Sequence, residues 1–432
     1  DNIEVLPLPS PVSYAINVGT WTIYGGDSVY TYCTSNPNNL NVSFFITSLN
    51  SATSYSINFG DGNTASGNSN TTAYSNTYSQ FGFYDIILTS NASNGCSVYD
   101  TISFYTGTNP AGGISTNGNN VYCLDGNTNS VNDTFPISSN ILNNPIGTQY
   151  TIEVNDGTPP TVYTTTPPLD YVHTFTSHSC NPTPPGSQFP NSFEITLTIE
   201  NPCGTTGGTV APITVSEPPV PDFTFDSIVC LNQTVSITDI SNYGTSVSGT
   251  NQNISCSGGG NRIWSISPNS YNSLVSNFGI APFGLSSIGS WVSGDSVLNI
   301  QFTQVGQYDI TLYTSNVESC GFDSITKRIC VEDPPSDATI GINNLNPNMC
   351  TNLPLLIFDL GADSSECTPY EYNWSFSPSA PVNIDSGSVT TKSLIANFTQ
   401  ADSFLITLTK SNECDSMIID TMIYVIGQPK IN

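Results

Sequence analysis

Four stretches of this chain alternate apolar and polar residues with period two, cross a short polar turn, and then alternate again. They read GFYDIILTSNASNGCSVYDTISFY (82–105), SFEITLTIENPCGTTGGTVAPITV (192–215), GQYDITLYTSNVESCGFDSITKRICV (306–331) and SFLITLTKSNECDSMIIDTMIYVI (403–426). Strict alternation is the mark of a strand with one face buried and one in water. Upstream of each stretch lies a shorter block: YSINFGDG (55–62), YTIEVNDG (150–157), WSISP (264–268) and WSFSP (374–378). Its aromatic and aliphatic residues share one face, as in a central core strand. Asp61-Gly62 and Asp156-Gly157 supply tight-turn chemistry, because both residue types tolerate the backbone angles of short hairpins. A third block leads into each repeat: NTY (76–78), HTF (173–175), QFT (301–303) and NFT (397–399). No segment carries a 3.6-residue apolar period, so an all-β protein with almost no helix is predicted.

Pro-rich joints separate the repeats: NPAGG (109–113), SEPPVPD (216–222), EDPPSD (332–337) and GQP (427–429). Proline cannot donate to a sheet ladder and stiffens linkers, so these read as short, semi-rigid connections. Equivalent positions recur at intervals of about 90–120 residues, the size of an immunoglobulin-like sandwich. The expected organisation is a stub and linker at 1–8, four sandwich modules at 9–107, 108–217, 218–333 and 334–428, and the start of another module at 429–432. Ile3–Pro11 reads as the last strand of a preceding module with its joint, and Pro429–Asn432 as a joint with the first residues of a following one; in a self-assembling filament Ile3–Val5 and Lys430–Asn432 would be the strands exchanged between chains. The chain thus reads as a window in a longer, elongated array.

The cysteines follow the same repeat. Cys33, Cys123, Cys230 and Cys350 each precede a strand-like run, and Cys96, Cys203, Cys320 and Cys414 sit in the repeat turns. One bridge per module is expected: Cys33–Cys96, Cys123–Cys203, Cys230–Cys320 and Cys350–Cys414. Each would close a loop of about 60–90 residues, stabilising by roughly 4 kcal/mol in the chain-entropy model. Cys256–Cys330 is a candidate second bridge in the third module, and Cys180 and Cys367 are left without an assigned partner. Such usage implies an oxidising, extracellular compartment.

Composition narrows the function classes. The 432 residues carry 33 Asp+Glu but only 6 Lys+Arg, a net charge of -27, and charged residues make up 9% of the chain. An average domain is about 25% charged, so this is a base deficit rather than an acid excess. Arg262 is the first basic residue. Nucleic acid needs Lys and Arg to neutralise phosphates, and anionic membrane surfaces attract the same residues, so both partners are excluded. No apolar run is long enough to cross a bilayer as a helix.

The blocks YSINFGDG, NTY and GFYDIILTSN…GC…DTISF resemble a PKD module, the immunoglobulin-like type named for polycystic kidney disease. The second module keeps Asn155-Asp156-Gly157, His173-Thr174-Phe175 and Phe193-Glu194-Ile195. The third and fourth keep Trp264 and Trp374 but lose the Asp-Gly turn. The cysteine placement and the joints are similar to tandem modules of secreted Bacteroidetes surface proteins, including gliding-motility adhesins exported by type IX secretion. That resemblance implies a non-enzymatic stalk of an adhesin or surface filament. Its partners would be neighbouring modules, a surface polysaccharide or cell-surface ligand, or further copies of itself. The alternatives are a binding-module array attached to a secreted enzyme and a self-assembling filament subunit. The resemblance also implies O-glycosylation at Asp-Ser/Thr-apolar tripeptides, with candidates Ser28, Thr101, Ser227, Ser296, Ser324, Ser416 and Thr421.

Other chemistry is sparse. His173, His178 and Cys180 have the spacing of a metal site, but His173 is the repeat equivalent of Asn76, which favours a structural role. Two histidines in one region and no nucleophile elbow argue against a hydrolase triad. No cofactor is expected apart from Ca²⁺, for which Asp61 and Asp156 are candidates against the simpler reading that each caps its own turn. Asp27, Asp100, Asp222, Glu332 and Asp333 lie near module ends, where calcium can also sit. Trp21 and Trp291 fall outside the core blocks and are candidates for stacking on sugars.

Overall fold

Residues 6–35, 40–118, 120–182, 188–316, 320–344 and 349–428 are described by a computed structural model. Within them the chain is all-β; the helical content is three short 3-10 turns, Ser139–Asn143, Asn251–Asn253 and Ile288–Ser290. The chain divides into two compact units. The first comprises residues 1–217 with 247–257, and the second 218–246 with 258–432.

The first unit contains two cores. One is a sandwich of a six-stranded sheet (Thr20–Tyr24, Asp27–Cys33, Ser97–Gly107, Gly82–Asn91, Ser54–Asn58, Thr64–Gly67, in spatial order) and a three-stranded sheet (Ser13–Ile16, Asn41–Ser48, Ala73–Thr77). Val42, Phe44 and Ile46 from the smaller sheet meet Ile57, Ile86, Leu88 and Phe104 from the larger. The second core sets the five-stranded sheet Val121–Cys123, Gly204–Ser216, Phe193–Asn201, Gln149–Val154 and Thr161–Tyr163 against the pair Val131–Pro136 and Asp170–Phe175.

The second unit repeats the plan. Its first core lies between Phe223–Thr224, Thr234–Asp239, Val297–Phe302 and Tyr271–Ser273 on one side and Ile228–Cys230, Phe322–Glu332, Gly306–Ser315 and Asn261–Ser267 on the other. Its second joins Ile340–Asn344, Pro354–Asp359, Ser393–Phe398 and Val382–Gly387 to Glu371–Ser377, Ser403–Ser411 and Ser416–Tyr424.

The alternation in the sequence becomes the cores directly. In the repeat strands Ile86 and Leu88, Ile195 and Leu197, Ile310 and Leu312, and Ile406 and Leu408 point inward. In the central strands Tyr55, Tyr150, Trp264 and Trp374 do the same, and Tyr78, Phe175, Phe302 and Phe398 close the third block. Burying each such side chain contributes roughly 1.5–3 kcal/mol. Trp264 and Trp374 also satisfy their indole N–H, donating to the Asp295 carbonyl at 2.9 Å and the Thr391 carbonyl at 2.8 Å. The four cores draw their residues from four successive segments, 12–104, 114–215, 223–331 and 355–425. One stretch departs from that plan: residues 247–257, inside the third segment, belong to the first unit.

One feature recurs in all four modules and positions the cysteines. A strand near the start of the module runs parallel to the end of its last strand, putting Cys33 beside Gly107, Cys123 beside Ser216, Cys230 beside Glu332 and Cys350 beside Ile426. The next residue then donates its backbone N–H to that partner's carbonyl: Thr34 to Gly107 at 2.8 Å, Leu124 to Ser216 at 2.9 Å, Leu231 to Glu332 at 2.8 Å and Thr351 to Ile426 at 2.9 Å.

Candidate functional site: the disulfide joints

The first cysteine of each module sits where the last strand ends, and the hairpin cysteine sits where that strand begins. Cys96 immediately precedes Ser97–Gly107, and Cys33 lies beside its far end at Gly107. Ten residues of strand span about 33 Å. A disulfide needs Cα atoms within about 7 Å. The expected Cys33–Cys96 bridge is therefore geometrically closed, and the same argument removes Cys123–Cys203, Cys230–Cys320 and Cys350–Cys414.

The bridges instead link one module to the next. Cys33 bonds Cys203, with Cα atoms 5.7 Å apart, and Cys230 bonds Cys414 at 5.4 Å. The expected Cys256–Cys330 bridge is replaced by two others: Cys180–Cys256, within the first unit, and Cys330–Cys367. Cys180 and Cys367 thus gain partners. Cys123 and Cys320 are also disulfide-bonded, while Cys96 and Cys350 are free thiols.

Each joint is built by an Asn-X-Cys turn. In Asn201-Pro202-Cys203 the Asn201 Oδ1 accepts from the Cys203 N–H at 2.9 Å, and its Nδ2 donates to the Thr108 carbonyl in the linker at 3.1 Å. In Asn412-Glu413-Cys414 the corresponding bonds are 3.0 Å to the Cys414 N–H and 2.7 Å to the Asp333 carbonyl. One side chain thus fixes the turn that carries the sulfur and ties it to the linker. Around Cys33–Cys203, Tyr24 donates its hydroxyl to the Gly147 carbonyl at 3.2 Å and stacks on Phe83 with centroids 6.1 Å apart. Gly147 has φ +90, and a Cβ there would be driven into the Phe83 ring. Beneath them Tyr105 is wholly buried, which pushes its phenol well above its ordinary pKa.

The second unit adds polar links. The Glu332 carboxylate is buried and accepts from Ser365 Oγ and from Thr368 Oγ1 at 3.1 Å. Lys410, wholly buried, donates to the Asp337 carboxylate at 3.1 Å and to the Asp337 and Ala362 carbonyls at 2.8 and 3.0 Å. Its Nζ also lies 3.2 Å from Asp359 Oδ2, an ion-pair contact off the hydrogen-bond angle, and 4.2 Å from the Tyr370 ring centroid. The N–H of Ala362 and the Lys410 ammonium hold the Asp337 carboxyl below its usual range. An open, polar groove of about 650 Å³ runs beside Cys230, between Asp226, Gln233 and Glu413.

The other candidates resolve into structure. His173 Nε2 lies 2.7 Å from Asp156 Oδ2, whereas the His178 Nδ1 accepts from the Cys180 N–H at 3.2 Å and Cys180 is in a disulfide. The three do not converge, which overturns the metal-site spacing. The carboxylates of Asp61 and Asp156 cap their own turns, accepting from the N–H groups of Asn63 and Thr158 at 3.0 Å each. Each then braces the third block, through Asn76 Nδ2 at 2.8 Å in one module and His173 in the next. Trp291 is 7% exposed and donates its indole N–H to the Leu285 carbonyl, so it is a core residue and not a sugar platform. Trp21 is 53% exposed on an edge strand, edge-on to Tyr30. Of the Ser/Thr candidates, Ser28, Thr101, Ser227, Ser296, Ser324 and Ser416 are exposed and Thr421 is half-buried. The terminal pieces Ile3–Val5 and Lys430–Asn432 lie outside the described residues.

No family model and no curated protein matches this chain. Among solved structures it is similar to titin domains A168–A170 (9% identity, covering 75% of this chain and 98% of that one, TM-score 0.34). It is also similar to the mouse nectin-like molecule 4 ectodomain (10%, 72% and 98%, 0.32) and to ICAM-5 domains D1–D4 (8%, 97% and 100%, 0.27). At such scores the likeness carries no argument, and the tandem immunoglobulin-like fold rests on the sheet topology above.

Proposed function

We propose that this chain is a structural, adhesive stalk segment of a large extracellular surface adhesin or filament. In the finer reading its modules are PKD-like, and the protein serves attachment or gliding at a bacterial surface reached by type IX secretion. The observation that carries the stalk reading is the joint. Where Cys33 bonds Cys203, and again where Cys230 bonds Cys414, adjacent modules are tied by the peptide linker and by a disulfide. A single-chain linker permits rotation about its backbone bonds; a second covalent tie close to it removes much of that freedom. A bridge between modules also changes how load passes. Tension entering at Cys33 leaves at Cys203, so the 170-residue span between them is bypassed while the bond holds.

Pulling the oxidised chain from its ends by single-molecule force spectroscopy tests this. The oxidised chain should stop short of full extension. Reductant should then add about 1,200 Å, at about 3.5 Å for each residue released from the bypassed loops, whose cysteines are 170 and 184 residues apart. Equal stretched lengths with and without reductant would rule out a load-bypassing stalk.

A further inference from the structure

The two free thiols occupy the same places as cysteines that are bonded elsewhere in the chain. Cys350 stands beside the end of its module's last strand, as Cys33, Cys123 and Cys230 do, and the following N–H makes the same bond in all four modules. The other three are in disulfides. Cys96 stands in the hairpin turn, as do Cys203, Cys320 and Cys414, and those three are also bonded.

A second, independent observation comes from the linker side. Asn94-Gly95-Cys96 repeats the joint turn: Asn94 Oδ1 accepts from the Cys96 N–H at 3.0 Å, and Asn94 Nδ2 donates to the Pro7 carbonyl at 3.0 Å. In the two bonded joints that carbonyl belongs to Thr108 and Asp333, each directly after the last strand of the preceding module. Pro7 therefore takes the position of a residue leaving a preceding module, with Cys96 set as in a formed joint.

We infer that Cys96 and Cys350 are the two halves of one further joint of the same kind. Cys350 takes the Asn-X-Cys hairpin cysteine of a module of this repeat type, and Cys96 takes the strand cysteine of another. The bond forms by thiol–disulfide exchange with a small or protein disulfide as oxidant. Two S–H bonds break, one S–S bond forms, and the oxidant leaves as two thiols carrying the two electrons and two protons. The inference does not depend on what the array adheres to.

The register defines the test. Ile426 corresponds to Gly107 and Glu332, so the residue after it corresponds to Thr108, Asp333 and Pro7. A tandem fusion of two copies, residues 1–426 of the first followed directly by residues 7–432 of the second, recreates a joint between Cys350 and Cys96. After oxidative folding, thiol titration under denaturing, non-reducing conditions is expected to find two free thiols per fusion. Peptide mapping is expected to find Cys350 of the first copy linked to Cys96 of the second. Four free thiols, or bonds from either cysteine to any other partner, would overturn the inference. Mapping Cys33–Cys203 and Cys230–Cys414 in the same sample establishes that each copy has folded.

Discussion

At the scale of single residues, one brace is written in two chemistries. Asp61 and Asp156 both cap a turn with one oxygen and reach a neighbouring strand with the other, to Asn76 in the first module and to His173 in the second. Burial pushes the Asp156 carboxyl up, but the hydrogen bonds from His173 and Thr158 outweigh it and hold the carboxyl below its ordinary range. A carboxyl depressed in the folded state contributes stability that is present above its unfolded pKa of about 4 and is lost as pH falls through the folded value. Asp156→Asn removes this contribution. Between pH 5 and pH 3 its melting temperature should fall less than that of the parent in parallel thermal scans. An equal fall in both would show that the brace is not coupled to protonation.

At the scale of elements, the strands were legible and the bridges were not, for one physical reason. Alternation encodes which face of a strand is buried, so Ile86, Leu197, Ile310 and Ile406 could be placed in cores from the sequence. It does not encode which end of one strand meets which end of another. The spacing of about ten residues from Cys96 to Gly107 was nevertheless a usable signal, because an extended segment of that length keeps its ends about 33 Å apart. Read that way, the hairpin cysteine points away from its own module's first cysteine and toward a neighbour. The Asn two residues before Cys96, Cys203 and Cys414 was the other overlooked mark. Gly147 shows how closely the joint elements fit: its φ of +90 and its approach to Phe83 both require glycine. Gly147→Ala should destabilise the first joint by about 1 kcal/mol or more. In that variant, Cys33–Cys203 should be reduced at a lower dithiothreitol concentration than Cys230–Cys414, whereas unchanged reduction midpoints for both bonds would contradict the fit.

At the scale of the whole molecule, the base deficit acquires a structural meaning. Each of the five basic residues in the described part is paired with an aspartate: Arg262 with Asp239, Lys327 with Asp222, Arg328 with Asp309, Lys392 with Asp363, and Lys410 with Asp337. The few cations are thus already engaged within the second unit, and the first 261 residues have none to offer. The placement of these cations bears on proteolysis. Arg262, Lys327, Arg328 and Lys410 lie inside strands, whose backbone is held in a ladder and cannot enter a protease cleft without local unfolding. Lys392 lies in the bend before Ser393–Phe398, at the frayed end of the ladder, where its carbonyl accepts the last rung from the Asp359 N–H at 3.0 Å. Among these five, trypsin should cut the oxidised, folded chain first after Lys392, with the other four sites surviving until their own strands open. Mass spectrometry of a limited digest reads this directly, and early cleavage at Arg262 or Arg328 would show that the ladders around them open more readily than their pairing implies.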